Sequence, residues 1–361
     1  MTSTLERGDD LATTRVTGRL DVALPGRLRV RVESRSLVVC IGVLAATAAL
    51  MVWQLASGDF PLPLGRVWAT LSGQGDPGEE FIVYTLRLPR SITAVLAGAA
   101  FGASGAVYQS VTRNPLGSPD IIGFTFGAAF GAVLAIVVFD AADLAVTAAA
   151  LAGGLGVAVL VYLLAFRNGG VQGYRLILIG IGISSVLASF ISYLILKADI
   201  ISSQEAFIWL TGSLNGRTWD EVRIGLVGLL LLGPVLVALG PGLRMAEMGD
   251  DAARALGASV DRNRMTALGF GAALCAVAVL CAGPVTFVSL AAPQIARRLT
   301  GSPTVRVIPS MFVGALLLLA SDTAAQKLVP TADLPVGIAT LALGGTYLAW
   351  LIAREGRSRI G

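Results

Sequence analysis

Histidine is absent from this sequence of 361 residues, and lysine stands at only two positions, Lys197 and Lys327. Imidazole is a favoured ligand of zinc and manganese, so its absence counts against a path for those bare ions and against a metal site in this chain. A P-loop needs a Gly-Lys-Ser/Thr step to hold phosphates, and neither lysine follows glycine. Any ATP that drives this protein is therefore bound by another subunit. Cysteine is scarce as well. Cys40, Cys275 and Cys281 each lie inside an apolar run, where free cysteine behaves as a small buried hydrophobe; neither a disulfide framework nor a metal cluster is expected. Charge is thin, with 14% of residues charged against about 25% in soluble domains.

What fills the chain is apolar. Hydrophobic residues make up 55% of it, glycine contributes 43 positions, and mean hydropathy is +0.77. A helical crossing of a bilayer takes about 20 apolar residues, and small residues let helices pack closely in lipid. Apolar runs fall at 36–56, 91–111, 121–139, 143–166, 174–197, 222–241, 264–283, 286–299, 306–321 and 335–353. The expected fold is all-α, a polytopic membrane protein with about ten transmembrane helices. The eighth run is short and contains Pro293, and ten runs return both termini to one side. If that side is the cytoplasm, all but seven of the 27 basic residues face it, as the positive-inside rule requires. Residues 1–35 are polar and lack the basic start and apolar core of a cleaved signal peptide, so they are expected to form a disordered cytoplasmic tail. The membrane-spanning body is then expected over 36–353, and 354–361 form a second cytoplasmic tail. The basic residues sit in short segments between apolar runs, which argues against nucleic acid as a partner and for a lipid bilayer.

Several motifs stand between or within these runs. Gly102-Ala103-Ser104-Gly105 has the GxSG form of a serine nucleophile, but a serine needs a general base, and with histidine missing it reads as helix packing. The cytoplasmic loop 242–263 holds RMAEMGDDAARALGASV at 244–260, where Met245, Met248, Ala252, Leu256 and Val260 recur at helical steps beside Asp250, Asp251 and Arg254. This predicts one short amphipathic helix, with Gly257 as a C-cap. Such a helix lies on the membrane or docks into a partner's groove. Arg87 and Arg90 flank Leu88-Pro89 on the outer face, against the charge bias. They either snorkel at the interface or meet carboxylates of an outer protein, since arginine pairs with them bidentately. Asn114-Pro115-Leu116 follows Arg113 where proline stops the inward helix; Gly283-Pro284 and Pro293 are expected to interrupt the seventh and eighth runs. Asp322 and Asp333 lie near the outer ends of the last two runs and read as helix caps. A weak repeat pairs Gly117-Ser118-Pro119 with Gly301-Ser302-Pro303.

The stretches RLPR (87–90), RNPLGSPDIIGFTFGAAFGA (113–132), WLTGSLNGRTW (209–219), MGDDAARALGASV (248–260), GPVTFVSLAAPQIARRLTG (283–301) and DLPVG (333–337) occur in this order. Together they resemble the FecCD-type permeases of ABC importers for iron–siderophores, haem and cobalamin, across about residues 36–353. The resemblance implies the type II importer fold with ten spans, a dimer of identical or paralogous permeases, two cytoplasmic ATPase subunits carrying ATP and magnesium, and an extracytoplasmic substrate-binding protein. It implies no cofactor on this chain and no catalytic residue. The family's coupling helices match Glu247, Met248, Asp250, Asp251, Ala252, Arg254, Leu256 and Gly257. Its docking arginines match Arg87 and Arg90, with Lys327 next to a third position occupied here by Gln326. Asn114, Pro115, Leu116, Gly283, Pro284, Pro293, Pro335 and Gly337 carry the structural motifs. Gln294 replaces a usual histidine, and Gly344-Gly345-Thr346 replaces a Gly-Ala-Pro step, so the last span should kink less. The expected function is ATP-driven import of a ferric siderophore across the bacterial cytoplasmic membrane, with haem or cobalamin as alternative cargo. An ion-driven secondary transporter would want mid-span carboxylates or histidines, and a scaffold would carry no transport role.

Overall fold

A computed structural model describes residues 19–23, 29–58, 60–120, 122–141, 143–167, 170–171, 173–257, 259–328 and 334–358. Two strands, β1 (Arg19–Ala23) and β2 (Arg29–Glu33), pair antiparallel just before the first helix. Part of the tail expected to be disordered therefore holds a hairpin. An isolated two-stranded ladder is only marginally stable in water.

The helices follow in order: α1 (Ser34–Ala56), α2 (Leu64–Leu71), α3 (Pro77–Glu80), α4 (Leu88–Thr112), α5 (Phe124–Phe139) and α6 (Asp143–Ala165). After the two-residue strands β3 (Phe166–Arg167) and β4 (Gly170–Val171) come α7 (Gly173–Lys197), α8 (Ile200–Thr211), α9 (Trp219–Glu247), α10 (Asp250–Ala255), α11 (Val260–Ala282), α12 (Val288–Thr300), α13 (Val307–Leu328) and α14 (Val336–Ser358). The ten apolar runs become α1, α4, α5, α6, α7, α9, α11, α12, α13 and α14. Among the described residues seven helices are long and apolar enough to cross a membrane, while Phe124–Phe139 and Val336–Tyr347 are shorter apolar helices. At 1.5 Å per residue, α12 is about 20 Å long, short of the roughly 30 Å hydrocarbon core.

Helix α4 sits at the centre, packed against α9, α11, α12 and α13. Its glycines explain why. A Cβ at Gly98 would lie 2.4 Å from the Gly314 carbonyl oxygen, and one at Gly102 would lie 2.1 Å from that of Ser310. Backbones meet at these points, as they do where small residues line membrane helix contacts. Helices α5 and α6 close in the same way, with Gly127 against Gly153 and Gly131 against Ala149. The enclosing helices α1, α6, α7 and α9 turn most of their surface outward, with Leu37, Val38, Ile41 and Leu44 of α1 exposed. This apolar exterior suits a lipid surround.

Chain entry to α4 is unusual. Phe81–Arg87 forms a π-helical stretch between α3 and α4. Pro89 has no N–H for the carbonyl four residues back, and the wider turn absorbs that loss, with the Leu88 N–H donating to the Val83 carbonyl. By contrast, α12 runs through Pro293 without a break, so that proline does not interrupt its helix. Helix α14 is continuous from Val336 to Ser358. Two segments between the apolar runs carry helices of their own, α2 and α3 in one and α8 in the other.

Candidate functional site

At one end of the bundle, the segment expected to be a single helix is divided. Helix α9 ends at Glu247. Gly249 takes φ +117, a conformation that side chains rarely adopt, and α10 then starts at Asp250. Gly257, at φ +82, ends it, with its N–H donating to the Arg254 carbonyl at 2.9 Å, in the manner of a glycine C-cap. The break turns the expected stripe into two faces. Ala246, Ala253 and Val260 form a small buried cluster with Met245, whereas Met248 and Leu256 are 62% and 64% exposed, and Ala252 is exposed with them.

Charged groups fasten this corner. Asp250 forms an ion pair with Arg113, the residue that closes α4 in the left-handed region at φ 50. Arg264 of α11 donates to the same Asp250 oxygen at 3.0 Å. Arg113 also donates through Nε to the Ala246 carbonyl at 2.9 Å, and Ser110 of α4 donates to Glu247 at 2.6 Å. Burial alone would raise the Asp250 carboxyl; the guanidiniums of Arg264 and then Arg113 outweigh it and hold it below the usual carboxylate value. Asn114 turns the chain beyond α4, its Oδ1 accepting from the Leu116 N–H at 2.9 Å, with Pro115 between them. Arg254 pairs with Asp251 and Asp261 at the surface. Arg113 and Arg264 had no assigned role in the sequence; a lone arginine after a helix gives no sign of a partner 137 residues away.

The opposite end holds a second charged network. Asp322 is fully buried within α13, so it is not a helix cap. It pairs with Arg90 at 2.7 Å and accepts from Gln54 of α1 at 2.7 Å and from Gln326 at 2.8 Å. Ser91 donates to the Gln54 Oε1 at 2.7 Å. Arg87 donates to the carbonyls of Leu55 and Phe60 at 2.7 and 2.6 Å, holding the end of α1 and the chain beyond it. Both expected docking arginines thus have partners within the chain. Lys327 lies over the Trp53 ring, 5.9 Å from its centroid. Asp333 falls outside the described residues.

Between these ends the polar groups are spent on packing. The Ser104 hydroxyl donates to the Gly271 carbonyl at 2.7 Å, which agrees with a packing role for the GxSG step. Gln294 donates to Gln109, and Gln109 donates to the Leu290 carbonyl at 2.9 Å, all buried. Near the charged network, Gly283 at φ +74 lies against Gly212. A Cβ at Gly337 would fall 1.6 Å from the Thr211 oxygen, and the Ile338 N–H donates to the Pro335 carbonyl. The end of α8, the turn after α11 at Gly283-Pro284 and the start of α14 are therefore pinned together. Among the described residues no three His, Cys, Asp or Glu side chains converge.

An apolar exterior, a glycine-packed central helix and several helices long and apolar enough to cross a bilayer make this a polytopic membrane protein. The FecCD transport family matches residues 46–354. The chain is 41% identical over 328 residues to the ferric enterobactin transport system permease protein FepG of Escherichia coli K12, covering 91% of this chain and 99% of that protein. It is 36% identical over 335 residues to the probable siderophore transport system permease protein YfhA of Bacillus subtilis 168, covering 90% and 97%. A solved inward-facing conformation of a metal-chelate type ABC transporter superposes with a TM-score of 0.79 at 29% identity, over 88% of this chain and 99% of that one. The chain belongs to the FecCD transport family.

Proposed function

We propose that this chain is the permease subunit of an ABC importer that carries a ferric siderophore across the bacterial cytoplasmic membrane. Both termini and α10 face the cytoplasm, where two ATPase subunits bind ATP and magnesium, and an outer substrate-binding protein delivers the cargo. A second permease, identical or paralogous, completes the pathway. One observation carries this reading: α10 is a separate helix flanked by the exposed Met248 and Leu256, while Asp250 ties it to α4 and α11. That is the form of a lever, apolar at its grip and fastened at its root. The ferric enterobactin and siderophore permeases among its relatives support the cargo class. The outer rim containing Arg87, Arg90 and Lys327 is the docking face for the binding protein.

Reconstitution tests the proposal. Proteoliposomes holding this permease, its co-purified ATPase and the binding protein should accumulate ferric enterobactin only when ATP is supplied inside. Uptake by this polypeptide alone on an ion gradient would overturn the reading and support a secondary transporter.

A further inference from the structure

We infer that Arg113 and Arg264 are positioning residues for the coupling step, and that they act by sharing the Asp250 carboxylate. This rests on the reading of α10 as the helix gripped by the ATPase. The need for such a fastening follows from how little α10 buries. It has six residues, and Ala253 is the one fully inside. A helix with so small an apolar footing cannot transmit force by packing.

The ion pairs supply the missing attachment, and they reach two different helices. Arg113 closes α4 and also holds the Ala246 carbonyl at the last turn of α9. Arg264 stands in the second turn of α11, with its side chain 10% exposed. Arginine presents a rigid fork of donors to a carboxylate, which lysine does not. One carboxylate between two such forks means that α10 cannot shift without drawing both helices. Helix α4 in turn meets α13 through Gly98 and Gly102 with no intervening side chains, so its displacement passes directly into the bundle core.

The arrangement is unequal by charge. Removing one arginine leaves Asp250 with one partner. Removing the carboxylate leaves two guanidiniums facing each other. The expected order of damage is therefore Asp250→Asn first, with Arg113→Gln and Arg264→Gln milder and the lysine variants milder still.

The test uses the assembled complex in proteoliposomes with ferric enterobactin as cargo. Arg113→Gln and Arg264→Gln should keep the ATPase subunits bound, yet spend about tenfold more ATP per cargo molecule, within the usual range of coupling between sites. Arg113→Lys and Arg264→Lys should recover part of that loss. A ratio equal to wild type, or uptake and hydrolysis falling in parallel, overturns the inference. The fastening is also read without cargo or nucleotide. Spin labels at Leu116→Cys and Ala252→Cys, both exposed positions, should give a narrow distance distribution that broadens in either glutamine variant. An unchanged width overturns it. Failure of the wild-type complex to take up ferric enterobactin, or to retain an ATPase, would count against the proposed function, while the spin-label result still decides the role of the two arginines.

Discussion

Gly105 of α4 lies so close beneath Ser289 of α12 that a Cβ on the glycine would sit 1.7 Å from the serine carbonyl oxygen. Pro293 explains why that carbonyl is approachable. It stands four residues further along and has no N–H to give back to Ser289. The glycine Cα–H group faces the oxygen instead, in the manner of the weak C–H···O contacts seen between helices.

Gly105→Ala should therefore cost about 3 kcal/mol, the upper end for overpacking, and lower the unfolding midpoint in detergent by several degrees. Gly156→Ala, where an added Cβ meets nothing within 4 Å, is the matched control and should leave the midpoint in place. Equal midpoints for the two variants would refute the contact.

The buried pair Arg90–Asp322 predicts an asymmetric mutant cycle. Arg90→Gln leaves a fully buried carboxylate without its cation and should cost about 3–5 kcal/mol. Asp322→Asn keeps a side chain that can still meet Gln54 and Gln326, and it should cost less. The double variant should be more stable than the sum of the singles implies. Additive costs in a denaturation series would show that the two side chains do not interact.

Met248→Glu and Leu256→Glu place charge on two exposed apolar tips. Neither should alter the stability by more than about 0.5 kcal/mol, as for ordinary surface changes. Each should nevertheless reduce the amount of ATPase subunit that co-purifies. Full retention of the ATPase in both variants would remove α10 as its grip.

Asp250 predicts a pH dependence by its direction of shift. Its folded-state value lies below the ordinary carboxylate value, so the attachment it provides is complete above the ordinary value and fades only as pH falls through the lower, folded one. Between pH 6 and 8 the Leu116–Ala252 spin-label distance should not change. A shift across that range would mean that a group other than Asp250 controls the corner.

Much of this architecture could be read from hydropathy. The runs at 143–166 and 174–197 reappear as α6 and α7 almost residue for residue, because a lipid-facing helix must be apolar throughout and shows no mixed pattern to misread. The segment at 244–260 was harder. Its three- and four-residue spacing suits one helix, but spacing carries no sign of the left-handed Gly249 that divides it. Asp322 looked like an end cap because it sits near the end of its run. Its true partner, Arg90, is 232 residues away, and a pairing of that range leaves no periodic trace. Helix α8 was hidden by Ser202, Ser203, Gln204 and Glu205, which made an ordered helix resemble a polar loop.

The shortness of α12 has a mechanical meaning. Where α1, α4 and α13 are continuous helices long enough to cross a membrane, residues 283–287 lead into α12 as a bent chain, with Gly283 and Phe287 both at positive φ. A helix can tilt or slide but resists changing its length. A short coil can turn the chain without breaking any helical ladder, and with Gly283 held against Gly212 this wall of the bundle takes a fixed corner where the others run straight.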